Sequence, residues 1–215
     1  MNLEEYAKGN KLFRTYFKNN QESLLQLVKS GQSPKALFIG CSDSRVIPDL
    51  IVQSDPGDLF VIRNVGNFVP PHKPDEDFHA TASGIEYAVS ILNVQEIIIC
   101  GHTHCGACES LYEKMEDPSL IHTKKWLELG KSAKFSAILS LGADAPREKL
   151  LRLTEKLSII KQIENILTYP NVKKRFEEGD LHIHGWYYDM ETGKIDYYNA
   201  QTYKFLPLKD LLNNN

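Results

Sequence analysis

Three short runs of uninterrupted apolar residues, Ala36-Leu37-Phe38-Ile39, Leu59-Phe60-Val61-Ile62 and Ile97-Ile98-Ile99-Cys100, are separated by segments with helical spacing. A strand with one face in water alternates apolar and polar residues. A run without alternation suits a strand covered on both faces, as in parallel sheets whose crossover helices pack on either side. At 215 residues the chain is long enough for one good-sized core and short for two ordinary domains. The expectation is a single α/β domain over 1–215, with a central, mostly parallel β-sheet flanked by helices.

Residues 3–18 and 20–30 carry helical spacing through Leu3, Tyr6, Leu12, Phe13, Tyr16 and Phe17, then Leu24, Leu25, Leu27 and Val28. Ser30-Gly31 closes the second segment, with Pro34 beyond. Large apolar groups on an otherwise polar helix need a cover. The expectation is an N-terminal helical arm over 1–30 that packs on a partner subunit, with its own core as the alternative. Pro48 opens a short helix carrying Leu50, Ile51 and Val52, and Asp55-Pro56-Gly57-Asp58 reads as a turn. Residues 64–78, with Asn64, Gly66, Asn67 and three prolines, form a long loop of the kind that carries function. Helical spacing returns over 80–92 and 107–115, then over 123–140 and 146–168, the last through Leu150, Leu153, Leu157, Ile160, Ile163 and Leu167. Near the C-terminus, 181–188 reads as a strand that Glu191-Thr192-Gly193-Lys194 turns back into 195–198, an antiparallel hairpin.

With 25 basic and 28 acidic side chains the net charge is −3, which argues against a nucleic-acid binder. No apolar run approaches the ~18 residues of a membrane helix, and the acidic start Met1-Asn2-Leu3-Glu4-Glu5-Tyr6 is unlike a signal peptide. A soluble, cytoplasmic protein is expected. Four cysteines, Cys41, Cys100, Cys105 and Cys108, are too few and too unevenly placed for a disulfide framework. Metal binding or catalysis becomes the better reading.

Ligands of open parallel sheets gather at the carboxyl ends of the strands. The first run ends in Cys41-Ser42-Asp43-Ser44-Arg45, the third in Cys100-Gly101-His102-Thr103-His104-Cys105-Gly106. If those ends are adjacent, Cys41, His102 and Cys105 can converge on one point. Two thiolates and one imidazole suit Zn2+ and leave its fourth tetrahedral position open. Zinc in such a site lowers the pKa of a bound water to about 7. A carboxylate at Asp43 can orient that water, and the Arg45 guanidinium can hold the carboxylate in place and ionised. The plain alternative for Asp43 and Arg45 is a surface ion pair worth about 0–1 kcal/mol. A redox Cys105-x-x-Cys108 pair is another reading, but it leaves Cys41 and His102 unexplained. A phosphatase-type loop is a weak one, because the interval from Cys41 to Arg45 is short and lacks glycines. Cys100 and Cys108 read as core residues, and His104 as facing outward.

Cys-Ser-Asp-Ser-Arg at 41–45, Arg-Asn-Val-Gly-Asn at 63–67 and Gly-His-Thr-His-Cys-Gly-Ala at 101–107 resemble the signature blocks of beta-class carbonic anhydrases. Ile85-Glu86-Tyr87-Ala88-Val89 and His184-Gly185-Trp186 join them in the family's order and spacing, from about Gly31 to Tyr198. The resemblance implies one zinc ion per subunit on Cys41, His102 and Cys105, with Asp43 and Arg45 as the orienting pair. It implies an apolar carbon dioxide pocket from Phe60, Val65 and Tyr87, with Gly106 also at the substrate. Gln32, reached across a dimer interface, matches the plant-like subgroup, in which this glutamine hydrogen-bonds the substrate. The implied activity is reversible hydration of carbon dioxide to bicarbonate and a proton, by attack of zinc-bound hydroxide, in a homodimer or a dimer-of-dimers tetramer. In some members the counterpart of Asp43 swings onto the zinc at low pH. Phe38 is a departure, because members with an allosteric bicarbonate pocket tend to carry Trp there, with Arg63 and Tyr188 at the pocket's other positions. The missing indole and Gln32 both point to the constitutively open type. Two other functions fit the same residues: hydrolysis of carbon disulfide or carbonyl sulfide on this scaffold, and non-catalytic binding of zinc or bicarbonate. The presence of both Asp43 and Arg45 weighs against the second.

Overall fold

The computed structural model describes residues 2–74 and 79–213. The end of the expected 64–78 loop, residues 75–78, lies outside the described residues. The three apolar runs become β1 (Ala36–Cys41), β2 (Leu59–Asn64) and β3 (Glu96–His102), joined by β4 (His182–Tyr188), β5 (Ile195–Asn199) and β6 (Lys204–Pro207). They form one sheet in the order β2-β1-β3-β4-β5-β6. The first four strands are mutually parallel, and β5 and β6 return antiparallel. The expected hairpin is therefore β4–β5, with β4 itself a member of the parallel set. The four-residue β6 was not foreseen, since an edge strand ending at Pro207 is too short to show periodicity.

Nine helices are described: α1 (Leu3–Asn19), α2 (Gln21–Ser30), α3 (Pro48–Val52), α4 (Ala80–Glu86), α5 (Gly106–Ser110), α6 (Ile121–Leu127), α7 (Lys131–Leu141), α8 (Arg147–Ile166) and α9 (Pro170–Glu178). A wider helical turn, Tyr87–Ile91, continues α4. Two expectations need correction. The helix expected over 107–115 stops at Ser110. The one expected over 123–140 breaks at Glu128–Gly130, where a Cβ on Gly130 would lie 2.8 Å from the Phe68 ring. Helix α9 was not foreseen, since it begins at Pro170 with few apolar residues and gave no periodic signal.

One sheet face buries Leu37, Ile39, Ile97 and Ile99 against Ile85, Ala88 and Val89 of the α4 segment and Ile159 and Ile166 of α8. The other face holds Ala36, Phe38, Ile98 and Cys100, with Trp186 packed edge-on against Phe38. Each fully buried Leu, Ile or Phe contributes about 1.5–3 kcal/mol. Helix α8 lies so close to β3 and β4 that a Cβ on Gly101 or Gly185 would come within 2.8 Å of Ile159. This close approach also changes which face of α8 is deepest. Expected stripe members Leu153, Leu157 and Ile160 are only half-buried, whereas Thr154, Glu155, Ser158, Ile159, Gln162, Asn165 and Ile166 are buried.

Helix α1 begins with a reciprocal cap: Asn2 Oδ1 accepts from the Glu5 amide, and Glu5 Oε2 accepts from the Asn2 amide. No residue of α1 or α2 is buried, and Leu3, Leu12 and Phe13 are 87, 74 and 54% exposed. The arm does not pack into the core of its own chain.

Candidate metal centre

Cys41 is the last residue of β1 and His102 the last of β3, and these two strands are neighbours. The Cys41 sulfur accepts from the backbone N–H of Asp43 and of Gly66, each at 3.4 Å. Arg63 on β2 clamps the same turn, donating through Nε to the Cys41 carbonyl (3.0 Å) and through Nη2 to the Asp43 carbonyl (2.6 Å). His102 Nδ1 lies 2.8 Å from the Thr103 carbonyl. A carbonyl only accepts, so the proton sits on Nδ1 and the Nε2 lone pair is free. That Nε2 is buried and has no hydrogen-bond partner. Cys105 caps the start of α5, which carries no side-chain cap bond.

The donor atoms of Cys41, His102 and Cys105 all lie within 4.8 Å of one another, and all three residues are buried. A buried, partnerless imidazole nitrogen facing two sulfurs is a donor set that fits a borderline-soft divalent cation. The Cys105 thiol, followed by burial, pushes the Cys41 thiol up to about 12. The Cys105 thiol is pushed up as well, first by its contact with Cys108. Two thiolates are thus disfavoured there, and a bound cation reverses that preference.

Asp43 is gripped by Arg45 through both oxygens: Nε donates to Oδ1 at 2.9 Å and Nη2 to Oδ2 at 2.7 Å, while the Arg45 amide adds a bond to Oδ1 at 3.0 Å. These bonds to Arg45 hold the Asp43 carboxyl well below the usual carboxylate range. His104 adopts a left-handed φ of 57° and turns its ring outward, where Nε2 meets Glu191 at 2.7 Å. Cys100 and Cys108 are both buried, as expected. Cys108 also contacts the Cys105 thiol, which the core assignment did not foresee.

The expected pocket residues fall into two groups. Val65 follows β2 directly, its carbonyl bonded to Trp126 Nε1, and Gly106 opens α5 beside Cys105. Phe60, however, pairs with Leu37, whereas Asn64 pairs with Cys41. Four residues of strand, about 13 Å, therefore separate Phe60 from the level of the metal group. Tyr87 stacks on Phe60 with ring centroids 5.9 Å apart. Gln32 precedes β1, beyond its other end, and is exposed. One chain thus places Val65 and Gly106 at its metal group, and Phe60, Tyr87 and Gln32 away from it.

Comparison with known proteins agrees with this geometry. A family model described as carbonic anhydrase matches residues 36–195. The chain is 37% identical over 190 residues to a carbonic anhydrase of Pseudomonas aeruginosa, covering 88% of this chain and 84% of that one. The solved structure of the beta-carbonic anhydrase CcaA superposes with a TM-score of 0.83 at 36% identity, covering 95% of this chain and 91% of that one. A tetrameric beta-carbonic anhydrase of the ascomycete Sordaria macrospora gives a TM-score of 0.81 at 28% identity, with 93% and 98% covered. The chain belongs to the beta-class carbonic anhydrase family.

Proposed function

We propose that this protein catalyses the reversible hydration of carbon dioxide to bicarbonate and a proton, using one zinc ion per chain held by Cys41 Sγ, His102 Nε2 and Cys105 Sγ. The observation that carries this reading is the convergence of two buried sulfurs and a partnerless imidazole nitrogen beside an arginine-clamped carboxylate. Bound zinc supplies the Lewis acidity that makes a water nucleophilic near neutral pH. Asp43 accepts a hydrogen bond from the attacking water and turns its lone pair towards the substrate carbon. Arg45 keeps Asp43 ionised and fixed, and Arg63 holds the backbone on which both sit. Val65 offers an apolar wall, and Gly106, with open space where a side chain would stand, leaves room for the substrate. The water oxygen bonds to carbon, its proton passes to buffer, and bicarbonate leaves.

The pocket is completed by Phe60, Tyr87 and Gln32 of a second copy, in a homodimer or a dimer of dimers. This is supported by their distance from the metal group of their own chain, and by the exposure of Tyr87 (45%) and Val65 (47%). The uncovered arm 1–30 packs on the same partner. Asp43, already paired with Arg45, fits the open type. Among the described residues no helix is long and apolar enough to cross a membrane, and four cysteines that form no disulfide with one another support a cytoplasmic location. Hydrolysis of carbon disulfide or carbonyl sulfide and a non-catalytic role are not favoured, because the relatives described above are carbonic anhydrases and the Asp43–Arg45 pair is intact. Stopped-flow hydration of carbon dioxide at pH 7 and about pH 9, on protein with measured zinc content, tests the reading. Turnover that scales with bound zinc is expected. Zinc-loaded protein inactive at both pH values would overturn it.

A further inference from the structure

Glu155, on α8, carries a carboxylate that is 3% exposed and that no step above uses. Its Oε1 accepts from the backbone N–H of Cys105 at 3.1 Å and from Arg152 Nη2 at 2.8 Å, and its Oε2 accepts from the Tyr187 hydroxyl at 2.7 Å. Burying a carboxylate costs several kcal/mol unless donors surround it, and here three do. Arg152 and Tyr187 by themselves would satisfy it as a packing feature. The bond to Cys105 is different in kind, because Cys105 caps the start of the short helix α5 and α5 supplies no side-chain partner for that amide. Without Glu155 the Cys105 N–H would be a buried orphan donor, and the peptide that sets the direction of the Cys105 sulfur would be free to rotate.

The same helix treats a second loop alike: Gln162 accepts from the Val69 amide, and Asn165 donates to the Val69 carbonyl. Helix α8 thus carries a buried polar edge that fixes backbone in two loops, at Cys105 and at Val69. Only Glu155 reaches a residue of the metal group itself.

We propose that Glu155 is a positioning residue for the metal centre, its carboxylate locking the Cys105 amide so that the Cys105 sulfur is held on the cation. This rests on the reading of Cys105 as a ligand, and it assigns Glu155 no contact with substrate.

The test is zinc release to a colorimetric chelator, together with the thiolate-to-metal absorption of cobalt-substituted protein, in wild type, E155Q, E155A, Y187F and C105A. Loss of an outer partner of a ligand costs about 10- to 100-fold in metal affinity. Release from E155A is therefore expected to be faster by that factor, with a changed cobalt spectrum. E155Q keeps an acceptor for the Cys105 amide but a weaker, neutral one, and should fall between wild type and E155A. Y187F loosens the same pocket without touching that amide. It should lower the melting temperature yet release zinc at the wild-type rate. Wild-type release and spectra in both Glu155 variants would overturn the proposal, as would Y187F releasing zinc as fast as they do. If E155A fails to fold, E155Q against Y187F decides in the same way. C105A separates the two levels: wild-type thiolate absorption there would overturn the ligand reading itself, and with it this proposal.

Discussion

Arg45 and Asp43 form a two-pronged ion pair, and the pair is tied to a second loop, because Arg45 Nη2 also donates to the His104 carbonyl at 3.2 Å. The carboxylate is thereby fixed relative to both strand ends that carry the metal donors. Arg45→Lys keeps the charge but loses the planar fork, so hydration should fall about 10-fold, and by about 100-fold in Arg45→Ala. Zinc content should remain at one per chain in both. Stopped-flow rates with metal analysis check this. Loss of zinc in either variant would show that the pair acts on the site's assembly rather than on the water.

Cys41→Ala and Cys105→Ala each remove one of three donors and should purify with little zinc, whereas Cys100→Ala should keep it, because Cys100 faces Phe38 and Trp186 in the core. Stripping zinc from the unaltered protein with a chelator should lower its melting temperature. A ligand that binds only the folded state stabilises it by about 4 kcal/mol at a thousand times its dissociation constant. Metal analysis and thermal melts give the readouts.

Gly66 holds φ at +80°, and a Cβ there would lie 2.8 Å from both Ala107 Cβ and the Phe68 ring. Gly66→Ala combines left-handed strain with overpacking, for a loss of about 2–4 kcal/mol. Its amide donates to the Cys41 sulfur, so zinc retention should weaken too. A melting curve close to wild type would contradict the stated contacts.

Tyr169 is buried with its hydroxyl on the Pro70 carbonyl, and burial pushes it up to about 12 from an ordinary 10.0. A raised folded value favours the protonated, folded form. Its contribution is complete below pH 10 and is lost as pH rises from about 10 to about 12. Melting temperature should therefore fall across that window, and fall less steeply in Tyr169→Phe.

Removing residues 1–30 should leave the remainder folded, since no residue of α1 or α2 is buried, but should shift the protein to smaller assemblies. Light scattering and circular dichroism together test this. A truncated chain that unfolds would show that the arm supports its own core.

Several features were legible along the chain because their causes are local. Unbroken apolar runs mark strands of a parallel sheet, covered on both faces in β1 and β3, whereas the edge strand β2 leaves Val61 exposed and is only partly covered. A cysteine and a histidine at strand ends point to a candidate ligand site. Asp43 and Arg45 lie two residues apart, so their pairing needs little beyond the turn itself. Glu155 was not legible, because a glutamate on a charged helix reads as solvent-facing. Only the close approach of α8 to Gly101 and Gly185 turns it inwards. The division of the expected pocket was hidden for a similar reason: Phe60 and Val65 are five residues apart in sequence, yet strand geometry puts them at different levels of the sheet.

The sequence by itself determined the parallel sheet, the candidate metal donors and the family, since periodicity, residue type and spacing are properties of short segments. Tertiary structure alone decided that His102 Nε2 is left without a partner, that Glu155 meets the Cys105 amide, and that Phe60 lies four residues of strand away from the level of Cys41. Each of these depends on strand register and helix approach between segments distant in sequence. Packing of the whole core fixes those distances, and no local pattern encodes them.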